Sequence, residues 1–267
     1  MSFLMSSRHC LKRHCSQNKR CCYIVPAEDT LKTRAKLPPL AKLKIAEMNE
    51  KSTGGLHDRI LVEIALGMKA MVLMNIATEA DIANRTTGTI EDILLDPRES
   101  KTINADAEGR VQLKYPPVLI LFRPNKDTDL SHVFQDGQES KQLHIGKGLV
   151  PITPSSSTPF NVSCVDGTWF SVIRRQFALT AGYAFTDIKA QAQTIGRLIA
   201  DLGKPPMGTL SPFSAYVTLS RSRGRDTIRL LRDFNETLFT KHPNKDLKKE
   251  MGRLKELHYQ TLNTNHL

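Results

Sequence analysis

Residues 177–234, FALTAGYAFTDIKAQAQTIGRLIADLGKPPMGTLSPFSAYVTLSRSRGRDTIRLLRDF, decide the fold that we expect for this chain. Two apolar runs in this stretch, at 179–185 and 215–220, have the length and composition of strands, and each leads into a polar segment. After the first run, Asp187 is placed to cap a helix over 187–195. A strand that passes into a capped helix directs free backbone N–H groups and the positive helix end at one place, which favours a bound phosphate.

The second run ends in a basic segment. AYVTLS at 215–220 is followed by RSRGR at 221–225, and TIRLL at 227–231 is predicted to return as another strand. We therefore expect any chemistry of this stretch at the two places where a buried strand meets polar residues.

Upstream, the most hydrophobic passage is ILVEIALGMKAMVLMNI at 60–76, which Gly67 divides into two strand lengths. The continuous apolar residues at 70–74 predict a strand that is covered on both faces, as in a sheet flanked by helices. Between Arg85 and about Arg175, short β-like runs alternate with polar or proline-rich connections. That pattern predicts a small antiparallel barrel or sandwich inserted into the α/β domain.

The two ends of the chain are predicted to carry helices. A basic helix at 4–18 precedes the strand-like CCYIV at 21–25, and PAEDT at 26–30 is expected to be the loop that follows a strand of a parallel sheet. A further helix is predicted at 39–49 and a last one at 245–262. Four apolar residues of the last helix fall on one face, so it is expected to pack back on its domain: Leu247, Met251, Leu254 and Leu257.

The net charge of the sequence indicates which class of partner this protein binds. The sequence has 38 Lys and Arg against 27 Asp and Glu, a net charge of +11, and no apolar run approaches the length of a membrane span. This excess favours a polyanion, and nucleic acid before a membrane. The segment before Glu28 is basic and has no acid, as in a mitochondrial transit peptide or in a helix from a longer protein.

Five cysteines, an odd number, argue against a secreted disulfide framework. Four of them lie near the start beside His9 and His14, but neither a CxxC pair nor the histidine spacing of a zinc finger occurs, so we expect free thiols and no metal. The sequence also has no GxxxxGK[ST] phosphate loop, no Asp-Glu dipeptide for magnesium, and no GxSxG or HExxH motif. A complete catalytic constellation is therefore not predicted.

Five long segments carry a resemblance to a known family. They are CCYIVPAEDT, GLHDRILVEIALGMKAMVLMNIATEADIANRTTGTIEDILLDPRES, VQLKYPPVLILFRP, RRQFALTAGYAFTDIKAQAQTI and LSPFSAYVTLSRSRGRDTIRLLRDF. With them the chain resembles, over nearly its full length, the C-terminal part of the DNA helicases of Helitron transposons. These are superfamily-one helicases that move 5′ to 3′ on single strands.

The resemblance implies the second RecA-like domain of a two-domain motor, at 57–84 and 176–267, with a small SH3-like β-barrel inserted at 85–175 and a basic segment and connector at 1–56. It implies ATP and Mg²⁺ as cofactors, single-stranded DNA as partner, a nuclear location, and functions in transposition, recombination or repair. The family's first domain supplies the P-loop and the magnesium acid. Because this sequence contains neither, we expect it to be inactive alone and to need a separate ATP-binding domain.

The family's fifth motif corresponds to 186–194, where the resemblance implies that Thr186, Lys189, Gln191 and Thr194 contact the DNA backbone or couple it to the nucleotide. The alternative is a helix whose polar residues face water. The sixth motif corresponds to 215–223, where the resemblance implies that Arg221 is an arginine finger on the γ-phosphate.

Around the implied finger, Tyr216 is expected to pack under the nucleotide and Arg223 to contact DNA. For Arg229 and Arg232 we prefer a solvated basic edge.

Three positions depart from the family pattern. The family usually has Gly where this chain has Ala192, a Gly-containing turn where Arg85 stands, and Arg where Thr87 stands. Arg85 is expected to be strained if that turn requires a positive φ. The sequence alone leaves three hypotheses: one half of an ATPase completed by a separate domain, a catalytically silent single-strand-binding module, or a transposon remnant without a stable fold.

Overall fold

The computed structural model describes residues 3–47, 61–78, 82–99, 104–125, 148–184, 186–191, 193–205, 208–240 and 245–264. The chain divides into two compact units, Ser2–Ala184 and Phe185–Leu267. The helices of the described residues are α1 (Phe3–Asn18), α2 (Pro39–Glu47), α3 (Asp187–Ala190), α4 (Pro212–Leu219), α5 (Thr237–Thr240) and α6 (Lys245–Thr264). None of these helices is both long and apolar enough to cross a bilayer.

The strands of the N-terminal unit are β1 (Cys22–Pro26), β2 (Glu28–Leu31), β3 (Leu61–Ile64), β4 (Lys69–Val72), β5 (Thr87–Leu94), β6 (Arg110–Gln112), β7 (Leu119–Pro124), β8 (Val150–Ile152), β9 (Ser155–Ser156), β10 (Phe160–Ser163), β11 (Trp169–Gln176) and β12 (Leu179–Ala181). Their sheets have the orders β3-β1-β6, β10-β11-β2 with β9 on β11, and β12-β4-β5-β7-β8. The C-terminal unit pairs β13 (Leu198–Ala200) with β14 (Ile228–Leu230) in parallel.

The main core of the N-terminal unit lies between α1 and two of the sheets. Leu11 from α1, Val25 from β1, Ile90 from β5, Phe122 from β7 and Leu179 from β12 belong to one buried cluster. A second cluster packs α2 on β10 and β11 through Ala41, Ile45, Phe160, Val162 and Val172. Most of the predicted strands are present in the structure. They could be predicted because alternating apolar residues and turn residues mark each strand in the local sequence.

The hydrophobic passage at 60–76 forms β3 and β4 as predicted, with Gly67 in the left-handed region between them at φ 74°. The three residues 70–72 are buried, which agrees with a strand that is covered on both faces. β4 pairs antiparallel with both β5 and β12.

The segment at 26–30 is not only a loop. Glu28–Leu31 is the strand β2, which pairs antiparallel with β11, and β1 has one antiparallel and one parallel neighbour. The local sequence is polar, but Asp29 gains a buried ion pair with Arg174 of β11, which no local pattern reveals.

The described strands between 85 and 175 do not close into a barrel. β5, β7 and β8 continue one sheet with β4 and β12, because β5 pairs with β4 on one edge and with β7 on the other. The domain boundaries drawn from the sequence stay a prediction.

Arg85 has φ 76°, as the expected turn requires, and its N–H donates to the carbonyl of Val72 at 2.8 Å. The turn therefore holds a non-glycine residue in the left-handed region, which costs of order 1–2 kcal/mol.

The last helix differs from its prediction. α6 forms over the expected residues, but Leu247, Met251, Leu254 and Leu257 are 42–59% exposed. These side chains do not pack into the core of the C-terminal unit, where the buried cluster consists of Leu202, Ala215 and Leu238.

Candidate functional site

The first predicted junction is a strand followed by a single helical turn. Thr186, and not Asp187, caps α3: its hydroxyl accepts a hydrogen bond from the N–H of Lys189 at 3.3 Å. The helix ends at Ala190 instead of continuing to residue 195. Because one turn has a small dipole, the phosphate site predicted at a helix end is not supported, and an anion would depend on the charge of Lys189.

The predicted contact residues of this segment face outward. Thr186, Gln191 and Thr194 are exposed and Lys189 is half-buried, whereas Ala190 is buried. Ala192 lies outside the described residues, so its departure from glycine stays without a structural account. The exposed side chains are accessible to a large ligand such as a nucleic acid strand.

The second predicted junction is a helix where the sequence indicated a strand. Ser211 caps α4 by accepting a hydrogen bond from the N–H of Ser214 at 3.0 Å, and proline occupies the start of the helix. Val217 and Thr218 favour a strand by propensity, but the cap and the burial of Ala215 and Val217 stabilise the helix. Tyr216, on the opposite face, is 69% exposed.

Arg221 follows the end of α4, and its guanidinium donates three hydrogen bonds to neighbouring residues of the same unit. Its Nε donates to the carbonyl of Val217 at 2.9 Å, Nη1 to the carbonyl of Gln193 at 3.2 Å, and Nη2 to the hydroxyl of Ser220 at 2.7 Å. The side chain is half-buried and not in the hydrophobic core. All three acceptors are neutral groups, so none of these three partners offsets the positive charge of the guanidinium, which can still attract an anion.

The two junctions are joined by main-chain contacts. The N–H of Ile195 donates to the carbonyl of Arg221 at 2.8 Å, and Ile195 forms a parallel bridge with Ser222. The parallel pairing continues in β13 and β14, and α3 contacts α4. The C-terminal unit therefore brings the segment 186–194 and the segment 215–223 together, although 20 residues separate them in sequence.

The basic residues after Arg221 differ in their contacts. Arg223 is exposed, and Arg229 donates to the carbonyl of Ile228 at 2.7 Å. Arg232 donates from Nε to Asp201 at 2.7 Å and from Nη2 to the carbonyl of Lys204 at 3.0 Å. Partial burial acts to raise the pKa of the Asp201 carboxyl, but the hydrogen bonds from Arg232 and from the N–H of Gly203, together with nearby positive charge, outweigh burial and the pKa is lowered. Arg232 therefore links the chain after β14 to the chain after β13 through these two hydrogen bonds.

Sequence reasoning missed the residues that shape the turn around Arg223. The hydroxyls of Ser222 and Thr227 lie 2.7 Å apart, and both donate to the carbonyl of Gly224 at 2.9 Å. It also missed Gln193, whose contribution to Arg221 is a main-chain carbonyl. A carbonyl has no side-chain signature, so no sequence signal could have identified it.

A separate cavity of about 630 Å³ lies in the N-terminal unit and contains none of the predicted site residues. Its lining includes Lys12, Cys15, Lys19, Cys22 and Arg110. Burial raises the pKa of Cys22 to about 12 and also raises the pKa of Cys15. These thiols stay protonated at neutral pH, so they are poor nucleophiles. All five cysteines are free, and the described residues contain no cluster suited to a metal ion.

No protein-family model matches this chain. No curated protein matches it either. Solved structures of Pif1 helicases are similar. The Pif1 helicase from Candida albicans is 19% identical at a TM-score of 0.52, with 94% of this chain and 47% of that chain covered. Bacteroides Pif1 bound to ssDNA is 15% identical at a TM-score of 0.51, with 89% of this chain and 41% of that chain covered.

These likenesses show the fold alone: the described residues have a mixed α/β architecture similar to part of those two Pif1 helicase structures. The chain spans less than half the length of those two structures. The likeness is therefore one of fold and not of activity.

Proposed function

We propose that this chain is the second motor portion of an ATP-dependent DNA helicase of the Helitron type. The 186–194 segment contacts the backbone of single-stranded DNA, and Arg221 reaches a nucleotide held by a P-loop domain that is not among these 267 residues. The observation that carries the proposal is the link between the two segments. Arg221 receives a hydrogen bond from Ile195 on its carbonyl and gives one from its guanidinium to Gln193.

The link supplies a physical route for coupling. A displacement of 186–194 by DNA strains the bonds to Arg221, and a displacement of Arg221 towards a phosphate strains the same bonds in return. Such reciprocal coupling is what a motor needs between strand binding and hydrolysis. Arginine suits the role because its guanidinium is planar and permanently charged.

ATP and Mg²⁺ belong to this proposal through the helicase resemblance. The residues of this chain that fit a nucleotide are Arg221, Tyr216 and Gln191, of which the first offers charge and the other two are exposed. Thr186, Lys189, Thr194 and Arg223 are proposed for the DNA. When bound with its P-loop domain, ATP supplies the phosphoryl transfer that powers movement. Arg221 stabilises negative charge on the transferred group.

The proposal includes an SH3-like barrel within 85–175. Such a barrel needs strand pairings that close the sheet, in addition to the pairings that the described strands make. A nuclear location is proposed from the transposon resemblance. A mitochondrial signal at the basic, acid-free start is not proposed, because Leu11, Cys15 and Val25 of that segment belong to the main core.

The binding arm of the proposal is tested by the salt dependence of affinity for a fluorescent oligothymidine. We expect binding that weakens steeply with salt, because each neutralised phosphate on a single strand contributes about −0.7 to the slope of log K against log salt. Lys189→Ala should make that slope shallower by about 0.7. Lys249→Ala, which removes an exposed lysine of α6 outside the proposed contact, is the control and should leave the slope unchanged. Binding that is undetectable or independent of salt would refute the proposed contact.

A second candidate is a catalytically silent module that binds single-stranded DNA. It is favoured by the +11 charge and by the three internal hydrogen bonds that occupy Arg221. This candidate predicts the same binding but no contribution of Arg221 to hydrolysis. A remnant without a stable fold, the third hypothesis, predicts the absence of a cooperative melting transition.

A further inference from the structure

We propose that α6 forms a parallel two-helix pair with α6 of a second copy of this chain. This inference is independent of the proposed helicase function, because it concerns a surface that the motor residues do not use. It rests on the exposure of one face of the helix, on the spacing of its apolar residues and on the charges beside them.

The exposed face is apolar over the first half of the helix. Leu247, Met251 and Leu254 are 51%, 59% and 52% exposed, and Leu262 near the end is 43% exposed. A 20-residue helix that also contains Gly252 has weak intrinsic stability in water. Helices of this kind gain their stability by burying an apolar face, so α6 needs a partner.

The spacing is that of a two-stranded coiled coil. Residues 247, 251 and 254 follow each other at intervals of four and three, which places Leu247 and Leu254 at d positions and Met251 at an a position. His258 and Thr261 continue the a and d series with polar side chains. The apolar seam therefore covers the first half of the helix.

The flanking residues select a parallel second copy. In this register Glu250 is at g and Lys255 is at the following e position, so a parallel pair places them together twice, by symmetry. Leu257 at g meets Leu262 at e in the same way and extends the apolar contact beyond the seam. An antiparallel pair centred on Met251 and Leu254 instead brings Lys248 beside Lys255, which is repulsive.

The charge of Glu250 is already present in the monomer. Arg253 donates to Glu250 at 2.6 Å within the helix and lowers the pKa of that carboxyl. Both groups are exposed, so the carboxylate can accept a further hydrogen bond from a lysine of the partner copy.

The mass of the full-length chain, measured by sedimentation equilibrium across the micromolar range, tests this inference. We expect a reversible monomer–dimer equilibrium. Met251→Lys should weaken it by at least tenfold, because it places two charges in the seam. Glu256→Lys changes charge at f on the opposite face and should leave the equilibrium unchanged. Circular dichroism of each variant establishes that α6 still forms.

A charge exchange tests the orientation. Glu250→Lys and Lys255→Glu should each weaken the dimer several-fold, and the combination should restore it. A chain that stays monomeric throughout, or a dimer that Met251→Lys leaves intact, would overturn the inference. Strengthening by Lys255→Glu alone would overturn the parallel arrangement, since it would relieve the contact with Lys248.

Discussion

Removal of Asp29 is predicted to destabilise the N-terminal unit far more than removal of its neighbour Glu28. Both acids lie on β2 and pair with consecutive arginines of β11, Arg174 and Arg175. The Arg174 side chain is 1% exposed and that of Asp29 is 12% exposed, whereas the Glu28 and Arg175 side chains are 33% and 49% exposed. The pairing of β2 with β11 therefore contains two carboxylate–arginine ion pairs side by side, of which one is buried and the other is exposed.

The magnitude follows from this difference in burial. Arg174 donates from Nε and Nη2 to the two carboxylate oxygens of Asp29 at 2.7 Å, and its buried Nη1 has no acceptor among the described residues. Asp29→Ala leaves a buried guanidinium without its counter-charge, which costs about 3–5 kcal/mol. Glu28→Ala removes a solvent-screened pair, which costs about 0–1 kcal/mol.

Urea denaturation followed by circular dichroism measures both changes. The single tryptophan, Trp169, lies on β11 but is 69% exposed, so its emission would report unfolding of this sheet only weakly. With a slope of about 2 kcal/mol per molar urea, Asp29→Ala should lower the midpoint by about 1.5 M or more, and Glu28→Ala by less than about 0.5 M.

Joint replacement of the buried pair by Asp29→Leu and Arg174→Met should recover most of the loss, because no buried charge remains. Equal effects of the two single substitutions would refute the assignment of the pair at Asp29 as buried.

Two smaller predictions use the same denaturation assay. Arg85→Gly should be more stable than Arg85→Ala by about 0.5–1 kcal/mol, because only glycine adopts φ 76° without strain, and both variants lose the same side chain; equal stabilities would contradict this. Asp201→Asn should destabilise the C-terminal unit by less than about 1 kcal/mol at neutral pH, since Asp201 and Arg232 are 34% and 42% exposed. The folded pKa of Asp201 is lowered, so its stabilisation is present above the unfolded pKa of about 3.9, and the difference from Asn should shrink as pH falls from that value through the lower folded pKa; a difference that does not shrink below the unfolded pKa would argue against this account.

Local patterns predicted most of the strands and could not predict their partners. The run at 169–176 is β11 as expected, but its pairing with β2 joins residues 145 positions apart. The polar residues of β2 give no strand signal of their own, and only the buried ion pair explains their position. The single sheet that runs from β4 through β5 to β7 likewise depends on pairing between strands that are distant in sequence, which local patterns do not reveal.

In the candidate site, too, continuous sequence motifs could be recognised, whereas contacts between distant segments could not be predicted. The strand predicted at 215–220 is helix α4, because Ser211 and Pro212 begin a helix whose residues have strand propensity. Arg221 could be selected from the sequence, since its motif is continuous. The contact of Arg221 with Gln193 could not, because it uses a main-chain carbonyl whose position depends on the folded unit.

The most direct test of the central claim is ATP hydrolysis by this chain mixed with the P-loop domain of a Helitron-type helicase, in the presence of single-stranded DNA. We predict that neither part hydrolyses ATP alone and that the mixture does. Arg221→Ala should reduce the rate by a factor of about 10³ or more while DNA binding is retained, and Arg229→Ala should act like the unmodified chain. Hydrolysis by this chain alone, or an undiminished rate with Arg221→Ala, would contradict the account.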